Sequence, residues 1–378
     1  MLATTRLFAD SNEHLTFAGA LPEGGFLAAT GIRGGTDFVY KLAGNGSVVW
    51  RTALPERTHV FSGGIASDGQ YWVGGQAGNP NSDAVQWVSK DGALAERHAL
   101  SQAVADNRFL ICAAERDRKY LQIISVGLAE YQGIPVSSMS MTTADGTRLW
   151  EKLTPVDQQR RIAPIPQQFL SCGGILLTRD DHVLAAQPIL VWPETHSDDE
   201  ITREWASGTH ERPATLVLDF DLAGHEIARL RDNDMLGGRL IPAPGGAVLI
   251  ETSNLKPGLT AASTVDNHVH IRWLDSNLKD IAAPLVISDG SIDIVNAAYL
   301  TPQGGLLLAA CSGTTSRIFV RYVSKDRAVS PKKELPQLGY CGGTYWFTMA
   351  EQPNEALLLS EAAPGLGSFV TTLRISEH

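Results

Sequence analysis

The stretch Leu21-Pro-Glu-Gly-Gly-Phe-Leu-Ala-Ala29 decides the reading of the chain. An apolar run stops, a Gly-rich turn follows, and an apolar run restarts. The same grammar returns at Ala66-Ser-Asp-Gly-Gln-Tyr-Trp-Val73, Leu177-Thr-Arg-Asp-Asp-His-Val-Leu184, Ile241-Pro-Ala-Pro-Gly-Gly-Ala-Val248 and Leu300-Thr-Pro-Gln-Gly-Gly-Leu306. Weaker copies begin at Ala113 and Met349. Gly, Asn and Asp supply the positive-φ positions and local side-chain bonds that join two antiparallel strands closely. Copies of one hairpin at intervals of roughly 45–65 residues predict a radial repeat array.

Each copy extends into a unit of four strands, here called a to d. In the first unit they are predicted at His14–Ala20, Gly25–Thr30, Asp37–Leu42 and Ser47–Leu54, with Ala43-Gly-Asn-Gly46 as the turn between c and d. The c–turn–d pattern recurs around Asp91-Gly92, Asp145-Gly146, Ala223-Gly224, Ser276-Asn277 and Lys325-Asp326. The last unit, Ser368–Ser376, ends without a strand d. The N-terminal stretch Ala3–Ala9 has no unit of its own, so the economical solution is that it completes the last one. The expectation is an all-β, seven-bladed β-propeller of four-stranded antiparallel blades, one domain over residues 1–378, latched where the two chain ends meet.

Phe61-Ser-Gly-Gly, Ser171-Cys-Gly-Gly, Met235-Leu-Gly-Gly and Tyr340-Cys-Gly-Gly are expected where strand a begins. Glycine there lets strands crowd near an axis. The functional alternative is that these glycines clear room for a ligand in the channel.

The pattern Asp145-Gly-Thr-Arg-Leu-Trp150, echoed by Asn45-Gly-Ser-Val-Val-Trp50, resembles the repeat of quinoprotein-like (PQQ-repeat, WD40-like) propellers. The resemblance covers two repeats well. Dehydrogenases of that family carry a quinone, a calcium ion and a vicinal cysteine pair. The sequence contains no adjacent cysteines, so the resemblance points to the non-enzymatic, protein-binding members and implies no cofactor.

Composition narrows the partners. The net charge of −10 argues against a general nucleic-acid surface, which needs Lys and Arg against phosphates. It suits solubility and a partner with a basic surface. No apolar run is long enough for a membrane-spanning helix. No secretory leader is visible, so the expected location is cytoplasmic, although a trimmed exported chain reads the same. A monomer is expected. The four cysteines, Cys112, Cys172, Cys311 and Cys341, read as small buried residues; the alternative is a disulfide between two that meet across neighbouring repeats, for which Cys311 and Cys341 are the candidates.

Long b–c connections are expected at Gly127–Pro135, Trp192–Pro213 and Ser253–Asn267, in the third to fifth units. Connections of one kind share one face of the ring, so all three belong to one rim. The longest contains Trp192, Glu194, His196, Asp198, Asp199, Glu200, Glu204, Trp205 and His210. Aromatic anchors among steering charges suit a protein interface, and these nine are the expected partner-binding residues. Metal ligation by His196, Asp198, Asp199 and His210 is the alternative, but their spacing matches no ligand signature. His268 and His270 face one side of a strand, where ordinary strand histidines are the plain reading and a metal or proton relay the sharper one. No nucleophile elbow, zinc-protease helix motif, phosphate loop or dinucleotide fingerprint occurs. The expected function is therefore a protein-binding scaffold or inhibitor, neutralisation of an enzyme or toxin being one form. The alternative is a hydrolase or lyase acting on a sugar or lactone at the channel mouth, an expectation carried by fold analogy.

Overall fold

The computed structural model describes residues 3–6, 13–32, 37–55, 58–66, 68–77, 82–99, 108–116, 119–131, 134–143, 147–154, 162–164, 175–177, 181–191, 197, 199–200, 203, 213–233, 235–253, 268–288, 293–312, 317–335, 347–352, 355–361 and 368–374. The chain forms an all-β propeller of small antiparallel sheets. Strand β1 is Ala3–Arg6. The first sheet then runs β2 (Glu13–Ala20), β3 (Phe26–Ile32), β4 (Phe38–Leu42) and β5 (Val48–Ala53). The second is β6 (Thr58–Ile65), β7 (Tyr71–Ala77), β8 (Ser82–Val88) and β9 (Leu94–Ala99). The third is β10 (Arg108–Arg116), β11 (Lys119–Tyr131), β12 (Ile134–Thr143) and β13 (Arg148–Thr154). In the fourth, β14 (Ile162–Pro164) and β15 (Ile175–Leu177) lie along one edge of β16 (His182–Val191), followed by β17 (Pro213–Asp221) and β18 (Glu226–Asn233). The fifth holds β19 (Met235–Ala243), β20 (Gly246–Ser253), β21 (Val269–Asp275) and β22 (Leu285–Ile287). The sixth holds β23 (Asp293–Leu300), β24 (Leu306–Ser312), β25 (Ile318–Val323) and β26 (Lys333–Glu334). The last is β27 (Phe347–Gln352), β28 (Glu355–Glu361) and β29 (Ser368–Arg374), with β1 as its fourth strand.

The latch is explicit. Ala3 pairs with Thr372 and Arg6 with Phe369, so the first strand is the outer strand of the last sheet. The first strands meet in a circle: β2 touches β6, β6 touches β10, and so on through β15, β19, β23 and β27 back to β2. Apolar residues fill the seams between sheets. Phe17, Leu27 and Val39 of the first pack with Val60, Tyr71 and Val73 of the second. Ile250 and Ile271 of the fifth pack with Leu306 and Leu308 of the sixth.

One turn serves both kinds of hairpin. In the a–b turn, Gly24 N donates to Leu21 O and Leu21 N to Gly25 O. In the c–d turn, Gly46 N donates to Ala43 O and Ala43 N to Ser47 O. The same pair of bonds recurs at Ala66–Gln70, Ser89–Ala93, Asp221–His225, Asp275–Lys279, Thr301–Gly305 and Ser324–Ala328. The fourth residue of the turn has a positive φ, which explains Gly at 24, 46, 69, 92, 224 and 304; Leu278 and Arg327 adopt it without that freedom.

The turns also lock neighbouring sheets. Trp150 Nε1 donates to Leu222 O at 3.0 Å, and a Cβ placed on Gly224 would lie 2.7 Å from the Trp150 ring. Trp50 makes the same contact with Lys90 O and Gly92. The Trp of the repeat pattern is thus seated on the c–d turn of the next sheet.

Three expectations need correction. Residues 127–131 and 134–135 are strand rather than loop: β11 and β12 run on past an irregularity between Ser125 and Glu130, and pair to Tyr131 and Ile134. Phe61 lies midway along β6, not at its start. Cys311 is disulfide-bonded rather than a free buried thiol. Ser171, Cys172, Tyr340 and Cys341 fall outside the described residues, so the alternative of a Cys311–Cys341 pairing does too. Where the paired glycines are described, they serve packing. A Cβ on Gly63 would meet Phe17 at 2.9 Å, and one on Gly238 would meet Ala186 at 2.8 Å.

Candidate functional site

In an up-and-down sheet, the b–c connections leave the end opposite the a–b and c–d turns. Two of them are long: residues 192–212 between β16 and β17, and 254–267 between β20 and β21. Beside them, β11 and β12 extend the third sheet toward the same end as a hairpin. The three predicted insertions therefore connect strand ends at one rim, and the first of them is in part an extension of the sheet.

Within 192–212 the described residues are Ser197, Asp199, Glu200 and Arg203, all exposed. Ser197 N and Oγ donate to Glu200 Oε2 at 2.8 Å, while Glu200 N meets Ser197 Oγ at 3.3 Å. This is a capping box, and it starts a helical turn at Asp199 and Glu200. Of the nine expected partner-binding residues, Asp199 and Glu200 are placed on the surface. Trp192, Glu194, His196, Asp198, Glu204, Trp205 and His210 lie outside the described residues.

Below the two loops, the seam between the fourth and fifth sheets holds a polar cluster. Thr215 on β17 pairs with Asp232 on β18, and both face the fifth sheet. Glu251 on β20 pairs with His270 on β21, and Arg272 lies two residues further along the same face. Arg272 forks onto Asp280, with Nε to Oδ1 at 2.9 Å and Nη2 to Oδ2 at 2.6 Å. Its Nη1 reaches Asp232 Oδ2 in the neighbouring sheet at 2.5 Å. The hydrogen bonds to Asp280 and the charges of Asp232 and Asp280 outweigh burial and hold the guanidinium pKa up.

Glu251 is the unusual member. It is 1% exposed, and neither carboxyl oxygen has a hydrogen-bond partner. Asp232 and Thr215 lie close without reaching hydrogen-bond geometry. Burial first, and the Asp232 charge second, push its pKa up to about 9. Glu251 therefore favours its neutral form at pH 7. Burial lowers the pKa of His270, its register partner. Chemically the cluster offers a buried carboxyl with a raised pKa next to a second carboxyl and a guanidinium. No group of three or more metal-binding side chains occurs among the described residues.

Sequence reading singled out His268 and His270 but missed Thr215, Asp232, Glu251, Arg272 and Asp280. Four strands and a turn supply the cluster, so no linear motif records it. One signal was present: Glu251 and Arg272 each interrupt an apolar strand at a position facing a neighbouring sheet.

No family model matches the chain, and no curated protein matches it. Solved structures do. The chain is similar to Drosophila Plexin A in complex with Semaphorin 1b, with 8% identity over 99% of this chain and 87% of that one, at a TM-score of 0.55. It is similar to the extracellular domains 1–2 of Drosophila Semaphorin 1b at 9% identity, 99% and 86% coverage, and a TM-score of 0.54. It is similar to YCF48 bound to D1 peptide at 11% identity, 99% and 97% coverage, and a TM-score of 0.51. The likeness is one of fold. At such identities a shared propeller carries no residue's role from one chain to another.

Proposed function

We propose that the protein is a binding scaffold that captures another protein at the b–c rim of its third, fourth and fifth sheets. The observation that carries this reading is the placement of residues 192–212 and 254–267 on adjacent sheets at one end of the ring. A rigid ring confines the ordering cost of binding to the loops themselves. The exposed Asp199 and Glu200, in a chain of net charge −10, favour a partner with a basic face. Two of the similar folds are seen with a protein or peptide bound, which supports the reading by analogy. Inhibition of an enzyme or toxin is one form of such capture. We read the seven sheets as seven blades of one closed ring, and the seated Trp50 and Trp150 favour the quinoprotein-like kinship. The disulfide at Cys311 fits an oxidising compartment better than the cytoplasm. The test is affinity capture by the intact chain and by one in which residues 195–210 are replaced with a short Gly-Ser linker. Capture should be lost while the melting transition is kept; equal capture by both would overturn the reading.

One observation favours a second reading, a hydrolase acting on a sugar or lactone. Glu251 is a buried carboxyl whose surroundings push its pKa up to about 9, set beside a second carboxyl, Asp232, and a raised carboxyl of this kind is what general acid chemistry uses. Turnover of aryl-glycoside or lactone substrates that disappears in Glu251→Gln would establish it; no turnover across both substrate classes would remove it.

A further inference from the structure

The fifth sheet carries a cation on its first strand with no counter-charge among the described residues. Arg239 lies on β19, the first strand of that sheet, across from Ile250. Its neighbour Leu240 packs with Leu184, Ala186 and Val217 of the fourth sheet. The next residue, Ile241, packs with Leu306 and Leu308 of the sixth. Side chains alternate along a strand, so Arg239 shares the face of Ile241, toward the sixth sheet.

The register identifies what other sheets place there. Ile250 lies four residues past Gly246, and Ala29, Gly74 and Ala309 lie four past Gly25, Gln70 and Gly305. Their partners on the first strands are Phe17, Ser62 and Ala297, all buried and none charged. Only the fifth sheet, among these four, puts a guanidinium at this point.

Arg239 has no counter-charge among the described residues. Its Nε is shielded from solvent and lacks a hydrogen-bond partner. Burial alone lowers its pKa, to about 10, with no carboxylate opposing the shift. Arg272, by contrast, satisfies its fork on Asp280 and Asp232. The acid closest along the pairing, Glu251, is on the opposite face of the sheet, beside Leu249 and the fourth sheet. Arg239 nonetheless keeps part of its surface open. The residue is walled in by protein at its Nε and partly open to solvent elsewhere. Burying an unpaired cation is costly, and a phenylalanine or alanine meets the packing need elsewhere in the ring.

We propose that Arg239 is the anchor of an anion site in the seam between the fifth and sixth sheets, taking a small molecule through a carboxylate or phosphate group. A planar guanidinium offers two parallel N–H donors to either oxyanion, which accounts for arginine rather than lysine. The site is separate from the b–c loops and stands whether or not those loops bind a protein.

The test uses the full chain labelled with 15N-arginine, titrated with inorganic phosphate and separately with succinate, at constant ionic strength. One Nε–Hε signal, missing from Arg239→Met, should shift and saturate. Affinity for the same probe should fall at least ten-fold in Arg239→Lys, and the probe should raise the melting temperature of the native chain but not of Arg239→Met. Saturation by phosphate alone or by succinate alone identifies the group preferred. Should Arg239→Met not fold, Arg239→Lys carries the comparison. No saturable shift with either probe overturns the proposal, as does an equal rise in melting temperature in native and variant chains, which marks general exclusion of the anion from the surface.

Discussion

The indole of Trp50 lies on Gly92 of the neighbouring sheet, where an added Cβ would come within 2.9 Å of the ring, and its Nε1 donates to Lys90 O at 3.1 Å. Trp150 and Gly224 repeat the relationship between the third and fourth sheets. Each contact spans a seam and joins a strand d to a c–d turn. The propeller is therefore held by directional locks at its turn end as well as by apolar seams. The long connections leave from the opposite end.

Gly224→Ala should destabilise the chain by about 1–3 kcal/mol, because the residue is held at φ +83° and its new methyl meets the Trp150 ring. Trp150→Phe, which keeps much of the ring and loses the bond to Leu222 O, should cost about 1–2 kcal/mol. Urea denaturation followed by circular dichroism reads both. Near-zero effects in both would show that the lock is not an energetic feature.

Glu251 gives the protein a pH signature. Its folded pKa, about 9, lies above the unfolded value of 4.5, so the folded state holds a proton that the unfolded state has released between those limits. Stability from this group is complete below about pH 4.5 and falls as pH rises toward 9, by at most ~1.4 kcal/mol per pH unit. Glu251→Gln should flatten that slope and stabilise the chain at pH 8. Denaturation midpoints at pH 5, 6.5 and 8 measure it; parallel curves for the two proteins would contradict the buried neutral acid.

The latch is separable. Deleting residues 1–6 removes β1 and bares the β29 edge, which then offers free backbone groups to another chain. The truncated protein should melt lower and self-associate in light scattering. A monomer with unchanged melting would show that β1 contributes nothing to closure.

Cys311→Ser should lower stability by about 2–4 kcal/mol, the usual worth of a bridge between distant residues. Peptide mapping without reductant should recover Cys311 in a disulfide-linked peptide and identify its partner, for which Cys341 of the adjacent repeat is the candidate. Recovery of Cys311 as a free thiol would contradict the bridge.

Much of this architecture was legible because it is local. Strand β3 falls where Leu21–Ala29 predicts it, since the turn fixes register within a few residues. The missing strand d after Ser368 and the orphan Ala3–Ala9 pointed to each other, and within that stretch Ala3–Arg6 pairs with Phe369–Thr372. What stayed hidden is set by register across seams. Trp50 and Gly92 are forty-two positions apart, and no periodicity says which turn the indole will meet. Asp232 and Arg272 join through two sheets. In sequence Gly127–Pro135 reads as a long b–c insertion, yet the hairpin absorbs Gly127 at an irregularity and Pro135 near a strand start. The expected interface residues were recognised by composition alone, and of these Asp199 and Glu200 are placed, both on the surface.

The most direct measurement of the central claim is hydrogen exchange of the full chain alone and with its captured partner. Protection should appear in 132–133, 192–212 and 254–267, and leave the turns at 43–47, 89–93 and 221–225 unchanged. Protection confined to those turns, or spread evenly around the ring, would contradict a binding rim on the third to fifth sheets.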